Sequence, residues 1–177
     1  CRVQMPGFER IYQSMGEQML VVAVNAGVGD DLDKVSDFVL DEDMNMPVAI
    51  DDGSLGAWLE MQETPLSLII GLDGRIAFAG HQDGPALHAA IEHVLSTPAG
   101  ELADAIETVT VPRLPSLSSG DEVPRMVLHN SEGADVGLGG QGSGRPQAIL
   151  FTAIWCEDYL LQTEPETAQQ CRRVREQ

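Results

Sequence analysis

Two long, almost unbroken apolar stretches dominate the pattern of hydrophobic and polar positions, at residues 19–26 and 147–154. Stretches of this length and composition are typical of strands that are buried on both faces of a sheet. Two shorter apolar stretches, at residues 47–50 and 66–71, predict further strands of the same kind. The chain is therefore expected to contain a sheet that is covered on both sides.

Apolar residues at helical spacing separate these strands, and they predict helices at residues 1–16, 30–40, 55–61 and 83–96. Pro6 lies inside the first of these and is expected to kink it. The Asp73-Gly74 pair predicts a tight hairpin between the strand at 66–71 and another at 76–79. Residues 1–97 therefore have the element order α-β-α-β-α-β-β-α, which predicts an α/β fold.

The character of the chain changes after residue 97. Four prolines and a Ser- and Gly-rich run fall between residues 98 and 124, which predicts a linker. Beyond it we expect a strand at 125–130, a turn at 131–133, a mobile glycine-rich loop at 137–144, the strand at 147–154 and a helical segment. The predicted organisation is thus one unit at 1–97, a linker at 98–124 and a second unit at 125–177.

Charge narrows the range of partners. Asp and Glu together number 28 and Lys and Arg together 10, so the formal net charge is -18. A chain this acidic lacks the basic patch that binds nucleic-acid phosphates or anionic membrane surfaces. No apolar run approaches the ~20 residues that span a bilayer. Because the sequence begins with Cys1 and not with Met, we expect it to be a piece of a longer chain.

The candidate chemistry lies in the cysteines and in one X-Pro pair. Cys1 is followed five residues later by Pro6, and Thr64-Pro65 stands directly before a predicted strand. With the element order of residues 1–97, these features resemble the thioredoxin superfamily, and most closely its TlpA-like, redoxin-type branch. The resemblance implies a three-layer fold in which a central mixed β-sheet is flanked by helices.

The resemblance also implies roles for residues of the first unit. The family motif is Trp-Cys-x-x-Cys at the end of a central strand, and Cys1 matches its second, resolving cysteine. The attacking cysteine and the central strand would then lie upstream of residue 1, so little dithiol activity is expected of these 177 residues alone. A cis Pro65 would face the cysteines, and the backbone of Thr64 would bind substrate.

The second unit carries the beginning of the same motif. Trp155-Cys156 follows the apolar strand, but Tyr159 stands where the family has its second cysteine. Cys171 is an alternative partner for Cys156, although a continuous helix would separate the two by roughly 22 Å, whereas a disulfide needs Cα atoms within about 7 Å. A Cys156–Cys171 disulfide therefore requires a helix break near Pro165. A single reactive thiol and a purely structural Trp-Cys pair remain open as well.

The two predicted units are incomplete in complementary ways. A thioredoxin-like sheet formed by residues 1–97 would lack its central strand, and unpaired strand edges tend to recruit another strand. The strand near residues 147–153 corresponds to that missing strand. We therefore hypothesise that it pairs with the strand at 19–26, the strand at 66–71, or both.

The function implied by the resemblance is that of a thiol-disulfide oxidoreductase in the bacterial periplasm or cell envelope. Its partners would be a disulfide-containing protein substrate and a thiol electron donor, and no cofactor is expected. The alternative is a non-catalytic thioredoxin-like binding or scaffold module with degenerate sites, which Tyr159 favours. The histidines, among them His81, have no metal-ligand spacing and are expected to be structural or solvated, so no metal site is predicted.

Overall fold

The computed structural model describes residues 4–27, 30–61, 64–81, 83–97, 118–140 and 144–152. Within these ranges the helices are α1 (Met5–Met15), α2 (Leu32–Asp41), α3 (Ser54–Trp58) and α4 (Pro85–Ser96). The strands are β1 (Leu20–Asn25), β2 (Val48–Ile50), β3 (Leu66–Ile70), β4 (Ile76–Gly80), β5 (Met126–Asn130), β6 (Asp135–Leu138) and β7 (Gln147–Thr152).

All the strands belong to one mixed sheet in the order β4-β3-β7-β1-β2-β5-β6. Strands β7, β1 and β2 run parallel to one another, whereas β3 runs antiparallel to β7 and β4, and β5 antiparallel to β2 and β6. Helices flank this sheet. The architecture is therefore α/β and is compatible with three layers.

The strand nearest the end of the described chain lies in the middle of the sheet. Strand β7 pairs with β1 from Leu20↔Gln147 to Asn25↔Thr152, and with β3 from Leu66↔Phe151 to Ile70↔Gln147. The hypothesis that this strand fills the gap in the first unit is confirmed for both neighbours. The strand that joins β1 to β3 is thus more than 75 positions away from β3 in the sequence.

Side chains alternate between the two faces of β7, as the pleat of a strand requires. Ala148 and Leu150 join the apolar cluster formed with α1, α2 and α4. Ile149 and Phe151 join a second cluster, which contains residues of α3, β5 and β6. Both faces of this strand are therefore buried, which explains why its sequence is apolar from Ala148 to Phe151.

Two local expectations were wrong. Helix α1 begins at Met5, so Pro6 occupies its first turn, where the missing N–H costs no hydrogen bond and produces no kink. Gly137 lies in strand β6 opposite Val127, not in a loop, because the hairpin with β5 extends to Leu138.

Part of the predicted linker is ordered against the edge of the sheet. Gly120 N–H donates to the Ile76 carbonyl at 2.7 Å, and Ile76 N–H donates to the Asp121 carbonyl at 2.8 Å. These bonds satisfy backbone groups on the outer edge of β4, which would otherwise be open to pairing with another chain. Residues 98–117 of the predicted linker lie outside the described ranges.

Substitution in β7 tests its central position. Leu150 is 0% exposed, and we expect Leu150→Ala to lower the free energy of unfolding by about 2–5 kcal/mol, because it removes buried methyl groups and leaves a cavity. Leu40 is 77% exposed and provides a matched control, for which the same truncation should change stability by about 0.5 kcal/mol or less. Urea unfolding measures both values. Equal values for the two variants would mean that β7 is not a core strand.

Candidate functional site

The three parallel strands end at the same edge of the sheet. Thr152 of β7 lies opposite Asn25 of β1, and Asp51 follows the last residue of β2. Backbone hydrogen bonds continue the ladder past these ends: Ala26 N–H donates to the Thr152 carbonyl at 2.8 Å and Asp51 N–H to the Asn25 carbonyl at 2.9 Å. The carboxyl ends of parallel strands are where α/β sheets usually place their ligand-binding residues.

Asn25 organises the turn that follows β1. Its Oδ1 accepts a hydrogen bond from Gly27 N–H at 2.8 Å, and its Nδ2 donates to Asp30 Oδ2 at 2.8 Å. Gly27 has φ +70°, and a Cβ at this position would overlap the Asp51 carbonyl oxygen. The backbone after β1 therefore runs directly against the end of β2, and only glycine fits there.

Asp51 is buried, and its carboxylate holds the start of α3. One oxygen accepts from Leu55 N–H at 3.0 Å and the other from Gly56 N–H at 2.7 Å. Two amide donors at the start of a helix satisfy a buried carboxylate and are themselves satisfied by it. Asp51 is thus part of the scaffold of this edge.

Pro65 lies at the same edge, because it precedes β3, which runs antiparallel to β7. The Thr64–Pro65 peptide bond is cis, as the resemblance implied. Leu66 pairs with Phe151, so Pro65 lies beside the carboxyl end of β7. The Pro65 carbonyl is 2.8 Å from Nδ1 of His81, the residue that follows β4.

The beginning of α1 contacts this group as well. Gln4, the residue before α1, donates from Nε2 to the His81 carbonyl at 2.7 Å. Farther along the helix, a Cβ at Gly7 would overlap the Asp83 carboxylate, so α1 packs closely on the loop after β4. The candidate site is therefore the place where four segments meet: the ends of β7 and β4, the loop before β3, and the start of α1.

Two exposed carboxylates that follow β1 and β2 in the chain have lowered pKa values. Hydrogen bonds from Ser54 hold the pKa of Asp52 below its usual value, and the backbone N–H of Lys34 does the same for Asp31. A carboxyl group whose pKa is lower in the folded state than in the unfolded state stabilises the fold at neutral pH. That contribution is lost as the pH falls through the folded-state pKa.

The structure describes two of the predicted site residues, Thr64 and Pro65, and both lie at this edge of the sheet. The others, Cys1, Trp155, Cys156 and Cys171, fall outside the described residues, so the possible Cys156–Cys171 disulfide stays a prediction.

The roles of Gln4, Asn25 and His81 were not predicted from the sequence. A polar residue at the end of an apolar run, such as Asn25 at the end of β1, is a weak indication of a functional position. Nothing in the sequence spacing links Gln4 to His81, because the two are 77 positions apart and are joined only by the fold.

Across the described ranges, no group of three or more His, Cys, Asp or Glu side chains could hold a metal ion. No helix in the same ranges is long and apolar enough to cross a membrane. Comparison with protein-family models, curated proteins and solved structures found no match to this chain.

Replacement of Asp51 tests the scaffold of the site. We expect Asp51→Ala to lower the free energy of unfolding by about 2 kcal/mol, because two amide donors lose their acceptor. Asp51→Asn keeps one acceptor oxygen and should lose less. Asp37→Ala, on the exposed face of α2, is the control and should stay within about 0.5 kcal/mol of the wild type by urea unfolding. A wild-type stability for Asp51→Ala would show that the carboxylate does not support α3.

Proposed function

We propose that the protein is a thiol-disulfide oxidoreductase of the thioredoxin-like, TlpA type, with Cys156 as the attacking thiol and Cys1 as the resolving thiol. The single observation that carries the proposal is the position of β7, between β1 and β3, with its carboxyl end beside the start of β3. Its substrates would be disulfide-containing proteins, and a thiol donor would return it to the dithiol state.

Chain connectivity supports the pairing of Cys156 with Cys1. Cys156 follows the last residue of β7 by four positions, and Cys1 precedes the first residue of α1 by four. A four-residue segment reaches at most about 14 Å. Through Gln4, His81 and Pro65, the start of α1 is hydrogen-bonded to the loop that lies beside the end of β7. These short connections support the proposal that both thiols act at the same edge of the sheet.

The family resemblance supports the same assignment. In the TlpA-like motif, the attacking cysteine follows the central strand and the resolving cysteine stands at the start of the next helix. Strand β7, which Trp155-Cys156 follows, is central in this sheet, and Cys1 stands before α1 with Pro6 in its first turn. The sequence alone placed the attacking cysteine upstream of residue 1. The strand order supports Cys156 in that role.

Helix α1 provides the physical basis for thiol reactivity. The first N–H groups of a helix have no partner within the helix, and together with the helix dipole they stabilise a nearby thiolate. Such an environment lowers the pKa of a cysteine, and the thiolate is the species that attacks a disulfide. The carboxylates of Asp30 and Asp83 lie at the same edge and oppose this effect through their charge.

The proposed reaction is a pair of thiol-disulfide exchanges. The Cys156 thiolate attacks one sulfur of the substrate disulfide, forming a mixed disulfide and releasing the other substrate sulfur as a thiolate. The Cys1 thiolate then attacks the sulfur of Cys156 and releases the second substrate thiolate, which leaves a Cys1–Cys156 disulfide. Two electrons pass to the substrate, and two from an external dithiol or two monothiols restore the starting state.

One observation favours a second candidate, a non-catalytic thioredoxin-like binding or scaffold module. Tyr159 stands where a local Cys-x-x-Cys motif would have its second cysteine. If Cys1 did not pair with Cys156, Thr64 and Pro65 could still bind a partner, but the site would have no dithiol. We place the protein in the bacterial periplasm or cell envelope by resemblance to the TlpA-like branch alone.

Serine variants of the three cysteines test the proposal. In an insulin-reduction assay with dithiothreitol, we expect Cys156→Ser to lower turnover by about two orders of magnitude, because the attacking sulfur is lost. Cys1→Ser should accumulate the mixed disulfide between Cys156 and insulin, which intact-mass spectrometry detects. Cys171→Ser is the control and should keep turnover within about twofold of the wild type.

Other outcomes select among the alternatives. Loss of turnover in Cys171→Ser with retention in Cys1→Ser would replace the proposed pair by Cys156–Cys171. A wild-type protein that gives no turnover above the dithiothreitol background would leave the binding module as the better proposal.

A further inference from the structure

Two hydrogen bonds link three separate segments at the candidate site. Gln4 Nε2 donates to the His81 carbonyl at 2.7 Å, and His81 Nδ1 lies 2.8 Å from the Pro65 carbonyl. Both bonds are partly buried, and they connect residues that are 77 and 16 positions apart. We call this pair of bonds the Gln4–His81–Pro65 clamp.

Chemistry fixes the direction of both bonds. A backbone carbonyl can only accept a hydrogen bond, so the Gln4 amide must present its nitrogen to His81, and Nδ1 of His81 must carry a proton. The direction of both bonds in the clamp is therefore fixed by the two carbonyl groups that accept them.

The same orientation leaves the other end of the Gln4 amide unsatisfied. Gln4 Oε1 is inaccessible to solvent and has no hydrogen-bond partner in the part of the chain that the structure describes. An acceptor left unpaired in this way opposes folding, and such groups are uncommon in native proteins. Within the described residues, the Gln4 amide is therefore hydrogen-bonded through its nitrogen, to the His81 carbonyl.

We propose that His81 and Gln4 are positioning residues, which hold the loop before β3 at a fixed distance from the start of α1. The inference rests on the proposed thiol-disulfide function. The loop carries Thr64 and Pro65, where a substrate would bind, and the start of α1 follows Cys1, which completes the exchange. The clamp spans these two parts of the site and keeps the bound substrate in line with the thiols.

Loss of the clamp should affect substrate binding more than thiol chemistry. Without the His81 hydrogen bond the loop can shift by a fraction of an ångström, which weakens substrate binding at Thr64 and Pro65 but removes no reacting group. One hydrogen bond corresponds to about a tenfold change or less in an equilibrium constant. We therefore expect His81→Ala to raise KM for insulin about tenfold and to leave kcat within about twofold.

The conservative variant separates a positional role from other roles. The side-chain amide of His81→Asn can place its N–H near the position of Nδ1 and donate to the same carbonyl, but it cannot transfer a proton. We expect His81→Asn to restore KM to within about threefold of the wild type. Gln4→Ala removes the other hydrogen bond and should also raise KM. Because both residues hold the same loop, the double variant should raise KM by less than the product of the two single effects.

His129→Ala is the control, since His129 is an exposed histidine on β5 that pairs with Asp135. Near-ultraviolet circular dichroism verifies that each variant is folded. If His81→Ala does not fold, the comparison of Gln4→Ala and His81→Asn with the wild type still tests the clamp.

If the wild type turns over insulin and KM is unchanged in His81→Ala and Gln4→Ala, the clamp proposal is wrong and the proposed function stands. Equal impairment of His81→Ala and His81→Asn would also overturn the clamp, because the ring itself would then be required. Absence of turnover in the wild type would overturn the proposed function and the clamp together.

Discussion

The structure depends on satisfying the backbone hydrogen bonds of two strands that cannot lie at an edge. Strands β1 and β3 are apolar and covered on both faces, so an unpaired side of either would expose N–H and C=O groups to a dry interior. Each buried group without a partner costs about 1–3 kcal/mol. Strand β7 removes this penalty along both strands at once, from Leu20↔Gln147 through Asn25↔Thr152 on one side and across all of β3 on the other.

The same pairing connects the fold to the proposed chemistry. Because β7 runs parallel to β1, its carboxyl end reaches the edge where Asn25 and Asp51 shape the turns and where Pro65 enters β3. The residues after β7 lead to Cys156, and the residues before α1 include Cys1. This pairing supports the proposal that two cysteines from distant parts of the sequence act together, and the clamp through His81 links the start of α1 to the loop before β3.

Sequence patterning predicted the parts of the fold that depend on burial. The apolar runs identified β1 and β7, because a strand that is buried on both faces is mostly apolar. The missing central strand of the first unit predicted where β7 inserts. Patterning failed where tertiary contacts outweigh local preference. Gly137 joins β6 because Val127 of β5 supplies a ladder partner, and Pro6 does not bend α1 because the helix starts one residue before it. Nothing in the sequence distinguishes His81 from a solvated histidine, because its contact with the Pro65 carbonyl is formed only in the folded chain.

If β7 brings Cys156 within reach of Cys1, as we propose, the two thiols form a disulfide when the protein is oxidised. Peptide mapping of the oxidised protein under non-reducing conditions, with free thiols alkylated before digestion, identifies which cysteines are paired. We expect a disulfide-linked peptide pair that contains Cys1 and Cys156, with Cys171 alkylated. A Cys156–Cys171 linkage, or alkylation of all three cysteines after treatment with an oxidant, would contradict the proposal.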